Sequence, residues 1–230
     1  MQNSLYHALW FSLLASCTGN NNKPILAQSE THPLGFHVEF DSSLNSPRRS
    51  PPRTDDSLIM TAAGNTDFFI EPGGAYEKSD APLLLKRVDN RRPFTFVAEL
   101  RPEHHVKYDA GMIFIFVDLK HWFKFAFEAD ENMNPRLVTV RTAGVSDDNN
   151  HEVFRDSTVY LKISSDTKSI GFYYSADGMK WNLVRVFKND YPLSLYLGIG
   201  TQSPAGTGNK TVFYGAMLTD SAVRDFRSGI

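Results

Sequence analysis

The feature that most constrains this fold is a period-of-two alternation of apolar and polar residues in short segments of the chain. Within residues 121–128, phenylalanine takes every second position, at Phe123, Phe125 and Phe127. Successive side chains of an extended chain point to opposite faces. The segment is therefore predicted to be a β-strand whose phenylalanine face packs in a core.

Similar alternation, or a short apolar run between turn residues, predicts further strands. They are predicted at residues 36–40, 58–63, 94–100, 112–117, 137–142, 158–163, 170–175, 181–187, 193–200 and 211–218. No segment shows the length and the 3.6-residue period of an amphipathic helix. We therefore expect an all-β fold, a jelly-roll β-sandwich of two antiparallel sheets, as a single domain over residues 33–230. The proline-rich stretch 45–57 is predicted to be an exposed loop, because proline cannot donate to a ladder.

The charge balance excludes one class of partner. Lysine and arginine total 24 and aspartate and glutamate total 26, which gives a formal net charge of -2. Acidic or turn residues also interrupt the basic clusters. Binding to nucleic acid would need a continuous basic stripe interleaved with aromatic residues, so we expect no nucleic-acid partner.

The amino-terminal segment has the layout of a secretory leader. An apolar run at residues 5–15 is followed by small residues and then by the polar linker 18–32. The run is too short to span a bilayer as a helix. Leu14-Ala15-Ser16-Cys17 is similar to a bacterial lipobox, so residues 1–17 are predicted to direct export. The exported protein is then either secreted or anchored by lipidation at Cys17, which would be its only membrane attachment. The alternative is a cytoplasmic protein that retains an unmodified leader.

Cysteine and histidine usage predicts neither a disulfide nor a metal site. Cys17 is the only cysteine, so no intramolecular disulfide can form and a thiol-ligated structural zinc site is not expected. His104 and His105 are adjacent, and on a strand they would point to opposite faces. The acidic stretch 147–150 lacks the spacing of a calcium loop and is predicted to be a solvated turn. We therefore predict no cofactor and no metal.

The polar face of the 121–128 strand carries the residues best suited to ligand binding. Trp122, Lys124 and Glu128 share that face. A flat apolar ring beside charged hydrogen-bonding groups suits a sugar. The alternative is an exposed strand face with an ordinary surface tryptophan.

Two carboxylates in this segment raise the question of glycoside hydrolysis. Glu128 and Asp130 are two residues apart, so on one strand they would lie roughly 6.5 Å apart, between the retaining and inverting separations. This spacing does not exclude hydrolysis, but no acid and nucleophile pair is recognisable. Catalysis therefore ranks below binding, and glycosidase activity is the third hypothesis for this chain.

A serine-to-tryptophan motif at residues 175–181 is predicted to be structural. Asp177-Gly178 supplies the residues of a tight hairpin turn, and Ser175 can hydrogen-bond across it. Trp181 would pack beside the turn.

The order of several motifs resembles the regulation-of-enolase family, a concanavalin A-like domain of largely unknown function. The resemblance runs from about residue 58 to residue 213. Its motifs are Thr66-Asp67-Phe68-Phe69, Asp80-Ala81-Pro82, Tyr108-Asp109-Ala110-Gly111, Asp118 with Trp122-Phe123-Lys124 and Glu128, Tyr174-Ser175 with Asp177-Gly178 and Trp181, and Gln202-Ser203-Pro204. Phe69 replaces a tryptophan that the family usually has.

This resemblance implies a concanavalin A-like sandwich with a ligand site on its concave sheet. The candidate ligand-binding residues are Tyr108, Asp109, Trp122, Lys124, Glu128 and Gln202. The leading hypothesis is an exported, non-catalytic module that binds carbohydrate. The second is an intracellular regulatory protein with a protein partner, such as a metabolic enzyme of the enolase kind.

Overall fold

The protein is built from β-strands in the part of the chain that its structure, a computed structural model, describes: residues 34–50 and 57–230. The strands in chain order are β1 (Gly35–His37), β2 (Ser42–Leu44), β3 (Arg48–Ser50), β4 (Leu58–Ala63), β5 (Phe68–Ile70), β6 (Glu77–Ser79), β7 (Leu83–Asp89), β8 (Phe94–Pro102), β9 (Ala110–Asp118), β10 (His121–Ala129), β11 (Pro135–Ala143), β12 (Val145–Val153), β13 (Val159–Ser165), β14 (Ser169–Ser175), β15 (Asn182–Lys188), β16 (Ser194–Gln202) and β17 (Gly208–Thr219). Nowhere in the two described ranges is there a helix with the length and hydropathy needed to cross a membrane.

The strands form two large sheets and one small one. The front sheet has the order β12-β11-β10-β9-β16-β7-β2, and the back sheet has the order β15-β14-β13-β8-β17-β4-β3. Strand β1 joins the back sheet by parallel pairing with β17, whereas the neighbours within each of the two orders pair antiparallel. Strands β5 and β6 form a separate hairpin. The predicted all-β sandwich is confirmed, and its architecture is consistent with a jelly roll.

The main core lies between the two large sheets. Both sheets contribute fully buried side chains to it, among them Phe96, Ile113, Phe125, Phe172, Ile199 and Phe213. The Phe125 ring of β10 stacks on the Phe172 ring of β14, with centroids 5.3 Å apart and ring planes at 18°. Burying one such side chain contributes roughly 1.5–3 kcal/mol. The phenylalanine face predicted for residues 121–128 is thus the core face of β10.

A second apolar cluster covers the opposite face of the front sheet. The fully buried Phe68 of β5 packs edge-on against Phe114, with centroids 5.2 Å apart, and against Trp122, at 5.5 Å. The backbone N–H of Ile70 donates to Ser146 Oγ of β12 (2.9 Å), which joins the β5–β6 hairpin to the front sheet. The front sheet is therefore covered on both faces beneath this hairpin.

Several predicted strands match the structure closely, and two predictions are wrong. The segment predicted at 58–63 coincides with β4, and the segment predicted at 121–128 ends one residue before β10 does. The acidic stretch 147–150 is not a turn but the middle of β12. Aspartate and asparagine disfavour strands, and β12 tolerates them because it is an edge strand with exposed side chains. The loop predicted at 45–57 contains β3 at Arg48–Ser50.

The amino-terminal predictions fall outside the described residues. They concern the leader 1–17, the lipidation site Cys17 and the linker 18–32.

Candidate functional site

The register of the front sheet places polar side chains in neighbouring rows on its outer face. Lys124 of β10 pairs with Val140 of β11, and Val140 pairs with Asp148 of β12. In a second row, Glu128 pairs with Ala110 of β9, and Ala110 pairs with Gln202 of β16.

The small Ala110 lets the side chains on either side of it meet. Cα atoms two strands apart are separated by about 9–10 Å. With only a methyl group between them, Gln202 Nε2 donates to Glu128 Oε2 (3.2 Å). A larger residue at position 110 would stand between these two side chains.

Lys124 lies at the centre of a buried polar network. Its side chain is 3% exposed, and its Nζ donates to Gln202 Oε1 (3.0 Å) and to the Phe68 carbonyl oxygen (3.0 Å). The carboxylate of Asp67 lies 3.6 Å from the same Nζ. A buried ammonium needs such partners, because water no longer solvates it.

Asp67 connects this network to the β5–β6 hairpin. Its Oδ1 accepts the Phe68 backbone N–H (2.7 Å), and its Oδ2 accepts the Tyr76 hydroxyl (3.2 Å). Burial and the charge of Asp67 raise the pKa of Tyr76 far above its ordinary value, so this hydroxyl remains a donor. The hairpin thus supplies both a counter-ion for Lys124 and an aromatic ring.

Glu128 is the most strongly perturbed carboxyl group of the site. Burial raises its pKa to about 8, Lys124 offsets part of that rise, and the charges of Asp67, Asp148 and Asp130 add to it. Glu128 therefore carries a proton at neutral pH. It can donate a hydrogen bond, which an ionised carboxylate cannot do.

Asp130 belongs to the turn that follows β10. Its Oδ1 accepts the backbone N–H groups of Asn132 (2.9 Å) and Asn134 (2.8 Å), and its Oδ2 accepts Arg136 Nε (3.0 Å). Burial alone would raise its pKa, but these donors outweigh burial and lower it. Asp130 is thus an ionised, fully engaged turn residue, although it sits on the same wall of the site as Glu128.

Tyr108 is held in a strained backbone conformation. Its φ of 70° lies in the left-handed region, which costs a non-glycine residue about 1–2 kcal/mol. Two hydrogen bonds keep it there: its N–H donates to the Ala129 carbonyl (2.6 Å), and its own carbonyl accepts Gln202 Nε2 (3.1 Å). Strain that the surroundings enforce is typical of functional positions.

Asp109 supports Tyr108 rather than lining the site. Asp109 is fully buried, and its Oδ2 accepts the backbone N–H groups of His105 (3.0 Å) and Val106 (3.1 Å). These bonds fix the turn that presents the Tyr108 ring.

The outer face of the front sheet and the segments beside it enclose a cavity of about 460 Å³. Four of the six predicted ligand-binding residues line it: Tyr108, Lys124, Glu128 and Gln202. The other lining residues are Asp67, Phe69, Tyr76, Asp130, Glu131, Val138, Val140, Asp148, Asn150, Pro204 and Ala205.

Trp122 does not reach this cavity, which corrects its expected role. The side chain is 0% exposed, lies under Phe68, and its Nε1 donates to the Leu119 carbonyl (3.3 Å). No ring face is left for a sugar. The sequence prediction placed Trp122 on the correct face of the strand, but that face is covered here by the β5–β6 hairpin.

Two cavity residues on β12 were missed because their segment was interpreted as a turn. Asp148 and Asn150 alternate along this edge strand, and the register places them beside Val140 and Val138. Asp148 keeps an exposed side chain, yet partial burial and the neighbouring carboxylates raise its pKa. Ser146, Asp148 and Asn150 occupy every second position and could have indicated a strand. The residues between them are also polar, so the segment shows no alternation of apolar and polar residues.

No group of three or more histidine, cysteine, aspartate or glutamate side chains is arranged to bind a metal ion within residues 34–50 and 57–230.

Comparison with protein families and curated proteins gave one match. Residues 44–221 match the family model described as "Protein of unknown function (DUF1349)". None of the curated proteins matches the chain.

Comparison with solved structures gave similar folds. A functionally unknown protein from Saccharomyces cerevisiae superposes with a TM-score of 0.70 at 22% identity, over 78% of this chain and 95% of that one. The GH43 protein BlXynB from Bacillus licheniformis gives 0.56 at 11% identity, over 80% of this chain and 40% of its own. A xylan beta-1,4-xylosidase from Bacillus halodurans gives 0.55 at 12% identity, over 74% and 38%. At these identities the likeness shows the fold alone, and this chain spans about two fifths of the length of each of the two Bacillus proteins.

Proposed function

The chain belongs to the DUF1349 family of proteins of unknown function, and on that premise we propose that it is a non-catalytic carbohydrate-binding module. The proposal takes its sandwich to be of the concanavalin A-like type, in keeping with the motif order of residues 58–213. Its ligand site is the cavity on the outer face of the front sheet.

The observation that carries this proposal is the composition of the cavity. Three aromatic residues that are not fully buried line it, Phe69, Tyr76 and Tyr108, and aromatic faces pack against the apolar faces of sugar rings. Around them lie an amide, several carboxylates and the protonated Glu128, which can accept or donate hydrogen bonds to hydroxyl groups. A volume of about 460 Å³ lies within the usual range of small-molecule sites.

The walls of the cavity are preformed, which favours ligand binding. Lys124, Gln202 and Glu128 hold one another, and the strained Tyr108 is fixed by two backbone hydrogen bonds. A preformed site loses little conformational entropy when a ligand binds. Asp130, the carboxylate two residues from Glu128, is engaged by its turn and is not available as a partner for Glu128.

A glycan array probed with the full-length protein tests this function. We expect binding to at least one glycan, and we expect Tyr108→Leu to weaken it. Tyr214→Leu is the matched control, because Tyr214 is a half-buried tyrosine of the back sheet and its loss should leave binding unchanged. An array without any binding at millimolar concentrations would overturn the proposal.

The raised pKa of Glu128 favours glycoside hydrolysis as a second candidate. A protonated carboxyl group in a cavity is the usual general acid of glycosidases. Turnover of a polysaccharide that disappears in Glu128→Gln would establish this activity. If the wild-type protein binds a polysaccharide but does not hydrolyse it, the result would support the non-catalytic module.

Export completes the proposal and rests on residues 1–17 of the sequence. Mass spectrometry of the protein purified from its native host should find a lipid-modified amino terminus at Cys17, or a mature terminus beyond it. An intact, unmodified leader would contradict export and favour an intracellular regulatory role.

A further inference from the structure

The cavity carries more negative than positive charge. Five of its lining residues are carboxylic acids, and Lys124 is its one lysine or arginine among the described residues. Lys124 is already engaged by Asp67, Gln202 and the Phe68 carbonyl. The ammonium group of Lys124 is therefore already paired with groups of the protein itself.

Two of the carboxylates that line the cavity form no ion pair with a described cationic side chain. Asp130 is paired with Arg136 (3.0 Å). In contrast, neither Glu131 nor Asp148 forms an ion pair with any described lysine, arginine or histidine. Both side chains are solvent-exposed, so an incoming ligand can reach them.

The titration behaviour of the cavity is consistent with a negative potential. Burial raises the pKa values of Tyr108, Glu128 and Asp148. The charges of nearby carboxylates add to each rise, although Lys124 offsets part of it at Glu128 and Asp148. A positively charged ligand would relieve this repulsion, whereas a uronic acid would increase it.

The aromatic residues point in the same direction. Phe69 and Tyr76 lie side by side on the hairpin, with centroids 6.3 Å apart, and Tyr108 belongs to the same cavity. The faces of such rings attract cations as well as sugar rings. Aromatic rings beside unpaired carboxylates are the groups that a cationic ring compound would need for recognition.

We propose that the ligand of this cavity is an amino sugar whose ammonium group is recognised at the rim by Asp148 and Glu131. This inference rests on the proposed carbohydrate-binding function and narrows it to sugars with a free amine, such as oligomers of glucosamine. The aromatic residues contact the sugar ring, and the Glu128–Gln202 pair lies where it can form hydrogen bonds with the hydroxyl groups of that ring.

Calorimetric titration of the full-length protein tests the inference with four probes of matched size or charge. They are a glucosamine hexamer, an N-acetylglucosamine hexamer, a cellulose hexamer and spermidine, used at low salt and mildly acidic pH, where amines are protonated. We expect the glucosamine hexamer to bind at least about tenfold more tightly than the other two oligosaccharides, a difference of about 1.4 kcal/mol. Added salt should reduce this preference.

Charge-removing variants locate the recognition. Asp148→Asn and Glu131→Gln should each reduce affinity for the glucosamine hexamer several-fold, and by clearly more than they reduce affinity for the neutral oligosaccharides. Asp147→Asn is the matched control, because Asp147 is the adjacent residue of β12, pairs with Arg141 in the register and points to the other face of the strand. It should have little effect.

The outcomes of these experiments distinguish recognition of an amino sugar from carbohydrate binding in general. Equal binding of all three oligosaccharides overturns the amino-sugar inference and leaves carbohydrate binding standing. Binding of spermidine without any oligosaccharide overturns both, because the ligand is then a simple cation. Loss of affinity in Asp147→Asn equal to that in Asp148→Asn would also overturn the inference, since a general charge effect would explain it.

Discussion

Two buried lysines, one on each sheet, show two ways of keeping an ammonium group out of water. Lys124 of the front sheet is 3% exposed and has a carboxylate, an amide oxygen and a carbonyl oxygen around its Nζ. Lys162 of the back sheet is 7% exposed. Its Nζ donates to the Gly229 carbonyl (2.9 Å) and lies 3.4 Å from the centroid of the Trp181 ring.

The difference between them lies in the charge of their partners. Asp67 compensates Lys124 directly, whereas no described carboxylate forms an ion pair with Lys162. Burial accordingly lowers the pKa of Lys162 to about 8. The front-sheet lysine is part of a polar site that depends on it, while the back-sheet lysine is a local clamp between the 175–181 turn and the segment near Gly229.

The largest effect is expected from removing the charge of Lys124. Lys124→Met keeps much of the stem but leaves Asp67 and the Gln202 Oε1 atom without their buried cation. We expect a loss of about 3–5 kcal/mol in the free energy of unfolding, measured by urea denaturation.

The matched substitution at the other lysine should cost much less. Lys162→Met loses a cation–π contact of about 2 kcal/mol at most and also removes an uncompensated buried charge. Equal losses at both positions would show that the distinction between the two lysines is wrong.

The next effect concerns pH and has opposite signs on the two sheets. The pKa of Glu128 rises from 4.5 to about 8 on folding. Its contribution to the free energy of unfolding is therefore fully present below pH 4.5 and is lost as the pH rises from 4.5 to about 8. The pKa of Lys162 falls from 10.5 to about 8, so the folded state regains stability as the pH rises from about 8 to 10.5. Each slope is at most about 1.4 kcal/mol per pH unit.

Unfolding free energies measured across this range should resolve both slopes. Glu128→Gln should flatten the decline between pH 4.5 and 8 relative to the wild-type protein, and Lys162→Met should flatten the rise above pH 8. A wild-type decline that persists unchanged in Glu128→Gln would assign the effect to another group.

A smaller effect tests the clamp on the back sheet. A double-mutant cycle with Lys162→Met and Trp181→Leu should give a coupling energy of about 0.5–2 kcal/mol. A coupling energy near zero would mean that the ring and the ammonium act independently.

The smallest change in stability is expected at Tyr108. Tyr108→Gly removes the cost of the left-handed conformation and should alter the free energy of unfolding by no more than about 1 kcal/mol, in either direction. The same variant should lose ligand binding, because the ring is gone. A strong loss of stability would show that the ring is a core residue instead of a ligand contact.

From the pattern of residues alone, the candidate site was predictable only where it lies on one strand. Lys124 and Glu128 are four residues apart on β10, so their shared face follows from the period of two. Tyr108 and Gln202 came from motifs in the family resemblance, and the structure brings both to the same cavity. Asp148 was missed because a polar edge strand has no apolar contrast, and Trp122 was misjudged because nothing near it in sequence shows that Phe68 covers it.

The sequence by itself determined the faces of the strands, because the alternation of side chains is a local property of an extended chain. It thereby separated the phenylalanine face of β10 from the face of Lys124 and Glu128. Only the tertiary structure decided which of those residues reach a ligand. Gln202 lies 78 residues from Lys124 and Phe68 lies 56 residues from it, and their meeting depends on strand register and on the position of the β5–β6 hairpin. Packing between distant segments sets both, and no local pattern records it.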